Sequence, residues 1–416
     1  MKFVQTANMK IAYIVPYVPN LIRTRPYNLI CQLATLGHEV TVFTLGHGAQ
    51  DFQDVDVLRS KVACVHYQEQ PVWYSLWNSL ITLPSRRPVQ TVYSWNSKLA
   101  QELVRLLRVQ GTFDVVHVEH LRGSLYALYI KSQLPNIPVI WDSVDCISYL
   151  FKQASAHSKS GFGKFVSRFE LGRTRWMEGK LVSEFDHVLV TSETDKSALL
   201  ELSSADTRPT HISVVPNGVD LKFFYPNPSV QRDPDVLVFS GKMSYHANIS
   251  MVKFLVAEIM PRLWEKRPSV RLIVVGKDPP MDIQRLDDGS RIHVTGTVED
   301  IRPFLWKANA AVVPLVYGAG IQNKILEAMA TGTPVITNSK VLASLSVTPG
   351  KELLIADTAD TFAECALQLI DDQILRSAVS EAGVQYVMRK HNWAKGAQQL
   401  VDIYRHLSLR ENDHSL

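Results

Sequence analysis

Short apolar runs alternate with helical patterns along almost all of this chain, and this alternation restricts the fold most strongly. The runs KIAYIV at Lys10–Val15 and EVTVFT at Glu39–Thr44 flank a predicted helix that ends at Gly37. Their lack of strict polar alternation indicates strands covered on both faces, as in a parallel sheet. The sequence therefore predicts an α/β fold. Further strand candidates lie at Asp114–Val118, Pro138–Trp141 and His187–Thr191.

A second series of apolar runs repeats this rhythm later in the chain. Its strand candidates begin at Val236, Arg271, Arg291, Ala310, Pro334 and Leu353. Between the two series, Pro216, Asn217 and Gly218 belong to a stretch with the composition of a linker. A chain of 416 residues also exceeds what one hydrophobic core usually holds. We therefore predict an N-terminal domain over 1–215 and a C-terminal domain over 216–392.

The end of the chain is helical in pattern after Asp371. The amphipathic segment from Trp393 to Leu407 has no strand partner and could pack on either domain. We assign the helix 393–416 to the N-terminal domain.

Charge, cysteine content and hydropathy exclude several classes of protein. With 44 basic and 40 acidic residues and a formal net charge of +4, the chain is too balanced for a nucleic-acid binder. Its 4 cysteines lie far apart, without the spacing of a disulfide framework or a zinc site. No apolar stretch approaches a membrane span, and Met1–Lys10 lacks the apolar core of a signal peptide. We expect a cytoplasmic protein that is soluble or peripheral to the inner face of the membrane.

Two segments combine basic and aromatic residues. Tyr74–Arg108 has the pattern of amphipathic helices and contains Arg86 and Arg87. Such segments are usually solvated faces over core aromatics, and the alternative is a peripheral contact with an anionic membrane. In the second segment, Lys159–Lys180, basic residues are interleaved with Phe162, Phe165, Phe169 and Trp176.

The segment GAGIQNKILEAMATGTPV, Gly318–Val335, combines a glycine loop with a helix start after the strand that ends at Leu315. Gly318 and Gly320 permit a close approach of the backbone to a ligand. The exposed amides and the dipole of a helix that begins near Ile321 favour a phosphate group. The segment therefore predicts an anion site.

Polar side chains on the same predicted helix extend this site. Asn323, Lys324 and Glu327 share one side of the helix, at spacings of three and four. A carboxylate one to two turns behind a phosphate site can accept both hydroxyl protons of a ribose. In the alternative, Glu327 pairs with Lys324 on an exposed helix.

Blocks of sequence along nearly the whole chain resemble the retaining glycosyltransferases of family 4, in both order and spacing. They are KIAYIVPYVP, DVVHVEH, VTSETDKSAL, VVPNGVD, VLVFSGKM, RLIVVGKD, VTGTVEDI and KILEAMATGTPVI. The resemblance implies the GT-B fold, with two Rossmann-like parallel-sheet domains that face each other across a cleft. It implies that a nucleotide sugar binds to the C-terminal domain and a glycan or lipid-linked acceptor to the N-terminal one.

The implied reaction transfers the sugar to an acceptor hydroxyl with retention of configuration, in polysaccharide or glycolipid synthesis for the cell envelope. No bound metal or other cofactor is implied. No pair of carboxylates at glycosidase spacing is evident, which fits a mechanism in which the leaving phosphate takes the acceptor proton.

The predicted donor site departs from the family's pattern at two places. Glu327 matches the second glutamate of the family's acidic motif, whereas Ala319 stands where the first glutamate is usual. Lys242 after Gly241 can replace the family's arginine, and Lys324 is our candidate for its second cation. These departures predict a variant donor site in which Lys242 and Lys324 stabilise charge on the diphosphate. The full set of donor-binding candidates is Gly241, Lys242, Gly318, Ala319, Gly320, Ile321, Lys324 and Glu327.

The motif FDVVHVEH places His117, Glu119 and His120 at the carboxyl end of a predicted strand. The family usually has a histidine here, close to the donor sugar. We select His120 as the catalytic candidate with Glu119 as the second choice, and we expect His117 to be buried and hydrogen-bonded. Asp142 and Asp145 could line the same region, or could serve only in capping and turns.

The loop after the first strand carries Arg23 and Arg25 where the family has glycines. Guanidinium groups bind phosphate or carboxylate in a bidentate manner, so both could contact a phosphorylated or lipid-diphosphate acceptor. A structural role at the surface is the alternative.

Three other functions are compatible with parts of the pattern. A sugar-nucleotide epimerase would share the fold but would act without an acceptor. A dehydrogenase is disfavoured, because no GxGxxG follows the strand at Ile11–Val15. A non-catalytic nucleotide-sugar-binding subunit would explain Ala319.

Overall fold

Two parallel sheets organise the protein, one in each of two units. The structure is a computed structural model and describes residues 8–109, 111–157, 161–203, 212–315 and 323–413. The first unit comprises Met1–Pro216 and Trp393–Leu416, and the second comprises Asn217–Asn392.

The first unit contains a sheet with seven strands in the described residues. The strands are β1 (Lys10–Val15), β2 (Glu39–Gly46), β3 (Cys64–Glu69), β4 (Val115–Glu119), β5 (Val139–Val144), β6 (His187–Val190) and β7 (Ile212–Val214). They lie in the order β3-β2-β1-β4-β5-β6-β7, and every neighbouring pair is parallel. The connecting helices are α1 (Thr24–Thr35), α2 (Ala49–Arg59), α3 (Val72–Thr82), α4 (Val89–Tyr93), α5 (Ser97–Leu107), α6 (His120–Gln133), α7 (Ile147–His157), α8 (Gly161–Glu184) and α9 (Glu193–Leu200).

The second unit contains a sheet with six strands in the ranges that the structure describes. The strands are β8 (Asp233–Ser240), β9 (Arg271–Val275), β10 (Ile292–Gly296), β11 (Ala308–Val313), β12 (Val335–Thr337) and β13 (Leu354–Ile355). They are parallel, in the order β10-β9-β8-β11-β12-β13. The helices are α10 (His246–Phe254), which continues as a π-helix over Leu255–Ile259, α11 (Met260–Lys266), α12 (Met281–Gln284), α13 (Arg302–Lys307), α14 (Asn323–Ala330), α15 (Ala359–Asp371) and α16 (Gln373–Lys390).

The predicted α/β fold with two parallel sheets is confirmed. The burial of the strands explains why their sequences predict them. Central strands such as β4 and β11 are buried along their whole length, which requires continuous apolar runs. The edge strands β3 and β7 are only partly buried and carry no such run, so the pattern does not predict them. Gly37 ends the turn after α1 with a φ of +91°, which glycine adopts without strain.

The last helix of the chain, α17 (Trp393–Asp413), belongs to the first unit. Its buried residues Trp393, Leu400 and Tyr404 join the same apolar cluster as Leu29 and Leu33 of α1. None of the helices in the described ranges has the length and hydropathy of a membrane span.

Candidate functional site

In the second unit, the turn after β8 brings two stretches of backbone into close contact. The amide of Gly241 donates to the carbonyl of Val275 at 3.0 Å. A Cβ atom on Gly276 would lie 1.7 Å from the Gly241 carbonyl oxygen, and both glycines have positive φ angles. Glycine at 276 is therefore required for this approach of the two backbones next to Lys242.

Lys324 lies on the first turn of α14, and the side chain of Asn248 connects its ammonium to the turn after β8. Its Nζ atom donates to Oδ1 of Asn248 at 2.5 Å, and Nδ2 of Asn248 donates to the Lys242 carbonyl at 2.8 Å. Asn248 is buried on α10. The Lys324 Nζ also lies 5.2 Å from the ring centroid of Phe239. The buried side-chain amide of Asn248 thus links the two segments that carry the predicted cations, Lys242 and Lys324.

Lys324 and Glu327 are both half-buried, and their ionisation reflects that environment. Burial lowers the pKa of Lys324 to about 8, although the Glu327 carboxylate opposes the effect. Burial likewise raises the pKa of Glu327 to about 7, and Lys324 opposes it. Within the described ranges, the Glu327 carboxylate has no hydrogen-bond partner. Desolvated groups of opposite charge, one turn apart, are typical of a site that binds a polar ligand.

The remaining donor-binding candidates surround this pair or lie outside the described residues. Lys242 directly follows Gly241 and its side chain is exposed, as expected for either a ligand contact or a loop lysine. Gly318, Ala319, Gly320 and Ile321 lie outside the described residues, so their assignment stays a prediction.

In the first unit, Arg25 forms a buried ion pair at the carboxyl ends of the strands. Its Nε and Nη2 atoms lie 3.0 and 2.8 Å from Oδ2 of Asp142, and Nη1 donates to the Val215 carbonyl at 2.8 Å. Burial alone would raise the pKa of Asp142, but the Arg25 guanidinium lowers it. Arg25 is thus engaged within the unit and is buried rather than at the surface.

Arg23 has a different environment, so the two arginines do not converge on one point. Its Nη1 donates to the Val18 carbonyl at 3.0 Å and lies 3.8 Å from Oδ1 of Asp51. The Arg23 side chain is 39% exposed. Of the two predicted acceptor contacts, Arg23 is the one that can reach a ligand.

Glu119 and His117, near the end of β4, belong to a buried polar network. The Glu119 carboxylate accepts hydrogen bonds from Tyr13 and Tyr17 at 3.1 Å each, and burial raises its pKa. Nδ1 of His117 lies 2.7 Å from the Tyr404 hydroxyl. The prediction that His117 is buried and hydrogen-bonded is confirmed.

His120 differs from both, because the chain bends sharply at this residue. It adopts a φ of +64° at the first position of α6 and is only half-buried. Its Nδ1 accepts from the amide of Arg122 at 3.3 Å, which leaves the proton on Nε2. Burial lowers the pKa of His120 to about 4, so the ring is a neutral donor at physiological pH.

Asp145 has a different hydrogen-bond partner from Asp142. Its carboxylate accepts from the Thr191 hydroxyl at 3.3 Å, and burial raises its pKa to about 6. This contact is long-range, whereas the local turn contact belongs to Asp142, whose Oδ1 accepts from the amide of Val144 at 3.1 Å.

Sequence reasoning missed Asn248, because its role depends on a contact with Lys324 that is 76 positions away. The signal was present, since Asn248 lies where the family pattern calls for a second cation. In the described part of the chain, no group of three or more His, Cys, Asp or Glu residues could hold a metal ion.

Two family models match successive parts of the chain. The model described as "Glycosyltransferase Family 4" matches residues 23–223, and the model described as "Glycosyl transferases group 1" matches residues 234–372. Together they match parts of both units and include the site around Lys324 and Glu327.

Curated relatives are distant, and some align over only part of their length. A D-inositol 3-phosphate glycosyltransferase from Nocardioides sp. is 24% identical over 255 residues, which are 55% of this chain and 55% of that protein. The present chain thus spans about half the length of that relative. An MMP alpha-(1->4)-mannosyltransferase from Mycolicibacterium hassiacum is 21% identical over 394 residues, which are 90% of this chain and 91% of that protein.

Among solved structures, that of Anabaena HepE in complex with UDP and glucose is similar in fold. It superposes with a TM-score of 0.64 at 15% identity, and the match covers 95% of this chain and 99% of that chain. At this identity the similarity concerns the arrangement of strands and helices.

Proposed function

We propose that this chain, which belongs to the family 4 type of glycosyltransferases with the GT-B fold, transfers a sugar from a nucleoside diphosphate to an acceptor hydroxyl with retention of configuration. The succession of the two matched domains along the chain supports this proposal. The acceptor proposed is a glycan or lipid-linked sugar of the cell envelope. The mannosyltransferase and the D-inositol 3-phosphate glycosyltransferase among the relatives support the transfer of a sugar.

The observation that carries the proposal is the position of Lys324 and Glu327, one turn apart on α14, beside the turn after β8. A diphosphate placed at this turn would meet the ammonium of Lys324, the exposed side chain of Lys242 and the backbone at Gly241. The carboxylate of Glu327, one turn further along α14, has two oxygen atoms for the ribose hydroxyls. The site thus offers cations for the phosphates and an acceptor for the ribose.

The proposed chemistry needs no protein nucleophile. The bond between the anomeric carbon and the diphosphate oxygen breaks, and its electron pair stays on the diphosphate, where Lys242 and Lys324 stabilise the charge. The acceptor oxygen bonds to the anomeric carbon from the same side, and its proton passes to the departing phosphate. For the first unit, we propose that the Nε2–H group of His120 donates a hydrogen bond to a hydroxyl of the donor sugar.

Calorimetry with UDP, GDP, ADP, CDP and dTDP tests the donor site. We expect micromolar-range binding of at least one diphosphate, with weaker binding by Glu327→Gln and by Lys324→Met. Glu265→Gln and Lys266→Met are matched controls, because both side chains are exposed on α11 of the same unit. Binding that Glu327→Gln and Lys324→Met leave unchanged would refute the site.

Mass spectrometry with a panel of nucleotide sugars and acceptors identifies the transfer, and NMR of the product's anomeric proton tests retention. Ala319, where the family has its first glutamate, favours one second candidate, a non-catalytic nucleotide-sugar-binding subunit. Tight donor binding with no turnover on any acceptor would support that candidate. A modified nucleotide sugar formed without acceptor would instead indicate an epimerase.

A further inference from the structure

Helix α3 presents its apolar side to solvent and its polar side to the protein. Ser75 is fully buried and Asn78 is 8% exposed, although both are polar. The outward side carries large apolar residues that are 58% to 68% exposed, namely Trp73, Leu76, Trp77, Leu80 and Ile81. This arrangement reverses the usual amphipathic helix of a water-soluble protein. An exposed apolar surface of this extent marks a binding surface.

Specific hydrogen bonds hold α3 in this orientation. Nε2 of Gln70 donates to the hydroxyl of Ser75 at 2.8 Å, and Nδ2 of Asn78 donates to the Trp95 carbonyl at 3.0 Å. Rotation of the helix to bury its apolar side would break both bonds and leave buried polar groups without partners. The outward apolar side is therefore the state that the fold favours.

The charges in the segment that contains α3 are of one sign, and the one acidic side chain that contacts this segment from α8 in the described residues, Glu170, lies 3.6 Å from the Arg173 guanidinium. Residues 71–101 contain no Asp or Glu, and they include Arg86, Arg87 and Lys98, for a net charge of +3. Arg86 and Arg87 are exposed just beyond the end of α3. Arg173 of α8 donates to the carbonyls of Leu83 and Arg87. An apolar helix side with this cationic border complements an anionic phospholipid surface.

The border on α8 adds an aromatic group. The guanidinium of Arg173 lies 3.9 Å from the ring centroid of Phe169, which is 42% exposed. Arg173 thus links the end of α3 to a further exposed aromatic side chain, Phe169. Aromatic residues beside arginine are favoured where a bilayer meets water.

A cavity of about 390 Å³ lies beside the C-terminal end of α3, where Asn78, Ile81 and Thr82 line it. Arg87 lines the cavity too, together with the half-buried residues Trp95 and Leu128. An apolar cavity with an arginine among its lining residues suits an acyl chain whose anionic head group stays near the guanidinium. This feature favours lipid over a flat protein partner.

We propose that α3 and residues 83–87 dock on an anionic phospholipid bilayer, with the helix parallel to the surface. Trp73 and Trp77 enter the interface between head groups and acyl chains, while Arg86 and Arg87 contact lipid phosphates. The proposal goes beyond sugar transfer and does not depend on it.

Vesicle flotation of the full chain tests the proposal. Vesicles of phosphatidylcholine with about 30 mol% phosphatidylglycerol should bind the protein, and pure phosphatidylcholine vesicles should bind it far less. The double variant Trp73→Ser/Trp77→Ser should lose about tenfold or more of the binding. Arg86→Glu/Arg87→Glu should abolish the preference for anionic vesicles, and salt should weaken wild-type binding in the same way.

Ile374→Ser is the matched control, because Ile374 is 85% exposed but lies on α16 of the second unit. It should bind vesicles as the wild type does. Absence of wild-type binding to anionic vesicles would overturn the proposal. A dimer in light scattering that Trp73→Ser/Trp77→Ser dissociates, without wild-type vesicle binding, would assign the surface to a second copy instead. Calorimetry with nucleoside diphosphates on the same variants keeps this result separate from the donor site.

Discussion

Lys324 donates a hydrogen bond of 2.5 Å to Asn248, and the same Asn248 side chain donates to the carbonyl of Lys242 at 2.8 Å. A single buried amide therefore fixes both the direction of one cation and the backbone next to another. Because the amide is neutral, it orients the ammonium of Lys324 without cancelling its charge.

Substitution of Asn248 should weaken the binding of a nucleoside diphosphate. Asn248→Ala removes the acceptor that directs Lys324, and we expect a loss of about tenfold in affinity. Asn248→Asp should cost more, because a carboxylate at this place neutralises Lys324 and repels phosphate. Titration calorimetry measures both effects. Asn227→Ala, which alters only a loop contact with the Ser229 amide, is the control, and equal affinities for Asn248→Asp and wild type would contradict the prediction.

The affinity for the diphosphate should fall at both low and high pH. Binding needs charged Lys324, which loses its proton as the pH rises through about 8. It also needs ionised Glu327, which gains a proton as the pH falls through about 7. Affinity should therefore be highest between these values and fall on both sides. In calorimetry over pH 5.5–9.5, Lys324→Met should lack the alkaline limb and Glu327→Gln the acid limb, and identical profiles for all three proteins would exclude these groups.

Arg25→Met should destabilise the protein far more than Arg23→Met does. Removal of Arg25 leaves the fully buried Asp142 without its counter-ion, which typically costs about 3–5 kcal/mol. Arg23 is 39% exposed, so its loss should change the melting temperature little. Thermal melts monitored by circular dichroism compare the two variants. Equal melting temperatures would contradict the structural role of Arg25.

Gly276→Ala should disrupt the turn after β8 and with it diphosphate binding. The added Cβ atom would lie 1.7 Å from the Gly241 carbonyl oxygen, a distance that forces the backbone apart. Gly289→Ala is the matched control, because Gly289 also has a positive φ, +68°, but no atom within 4 Å of a Cβ. The control should lose about 1 kcal/mol of stability and keep its affinity. Melting temperature and calorimetry together separate the two outcomes.

The sequence predicts the sheets well, because a strand covered on both faces must be apolar throughout, as β4 and β11 are. It predicts α3 only in part. Periodicity identifies which residues share a side of a helix, but the direction of that side depends on contacts such as the one between Asn78 and Trp95. The reversed orientation of α3 could not be predicted from its pattern.

The candidate site, too, is only partly predictable from the sequence. Lys324 and Glu327 lie on one helix, so their spacing in sequence places them together. Arg23 and Arg25 are equally basic in sequence, and only the contact with Asp142, 117 positions away, separates their roles. Such long-range partners leave no local pattern in the sequence.

Helix α17 has a consequence for how the protein is made. The hydroxyl of Tyr404 lies 2.7 Å from Nδ1 of His117, which is 287 positions earlier, and Trp393 and Leu400 belong to the same core as Leu29. The ribosome therefore synthesises the whole second unit before α17 can complete the core of the first unit. During synthesis the nascent first unit exposes the apolar surface of α1, and this interval is when a chaperone would be needed.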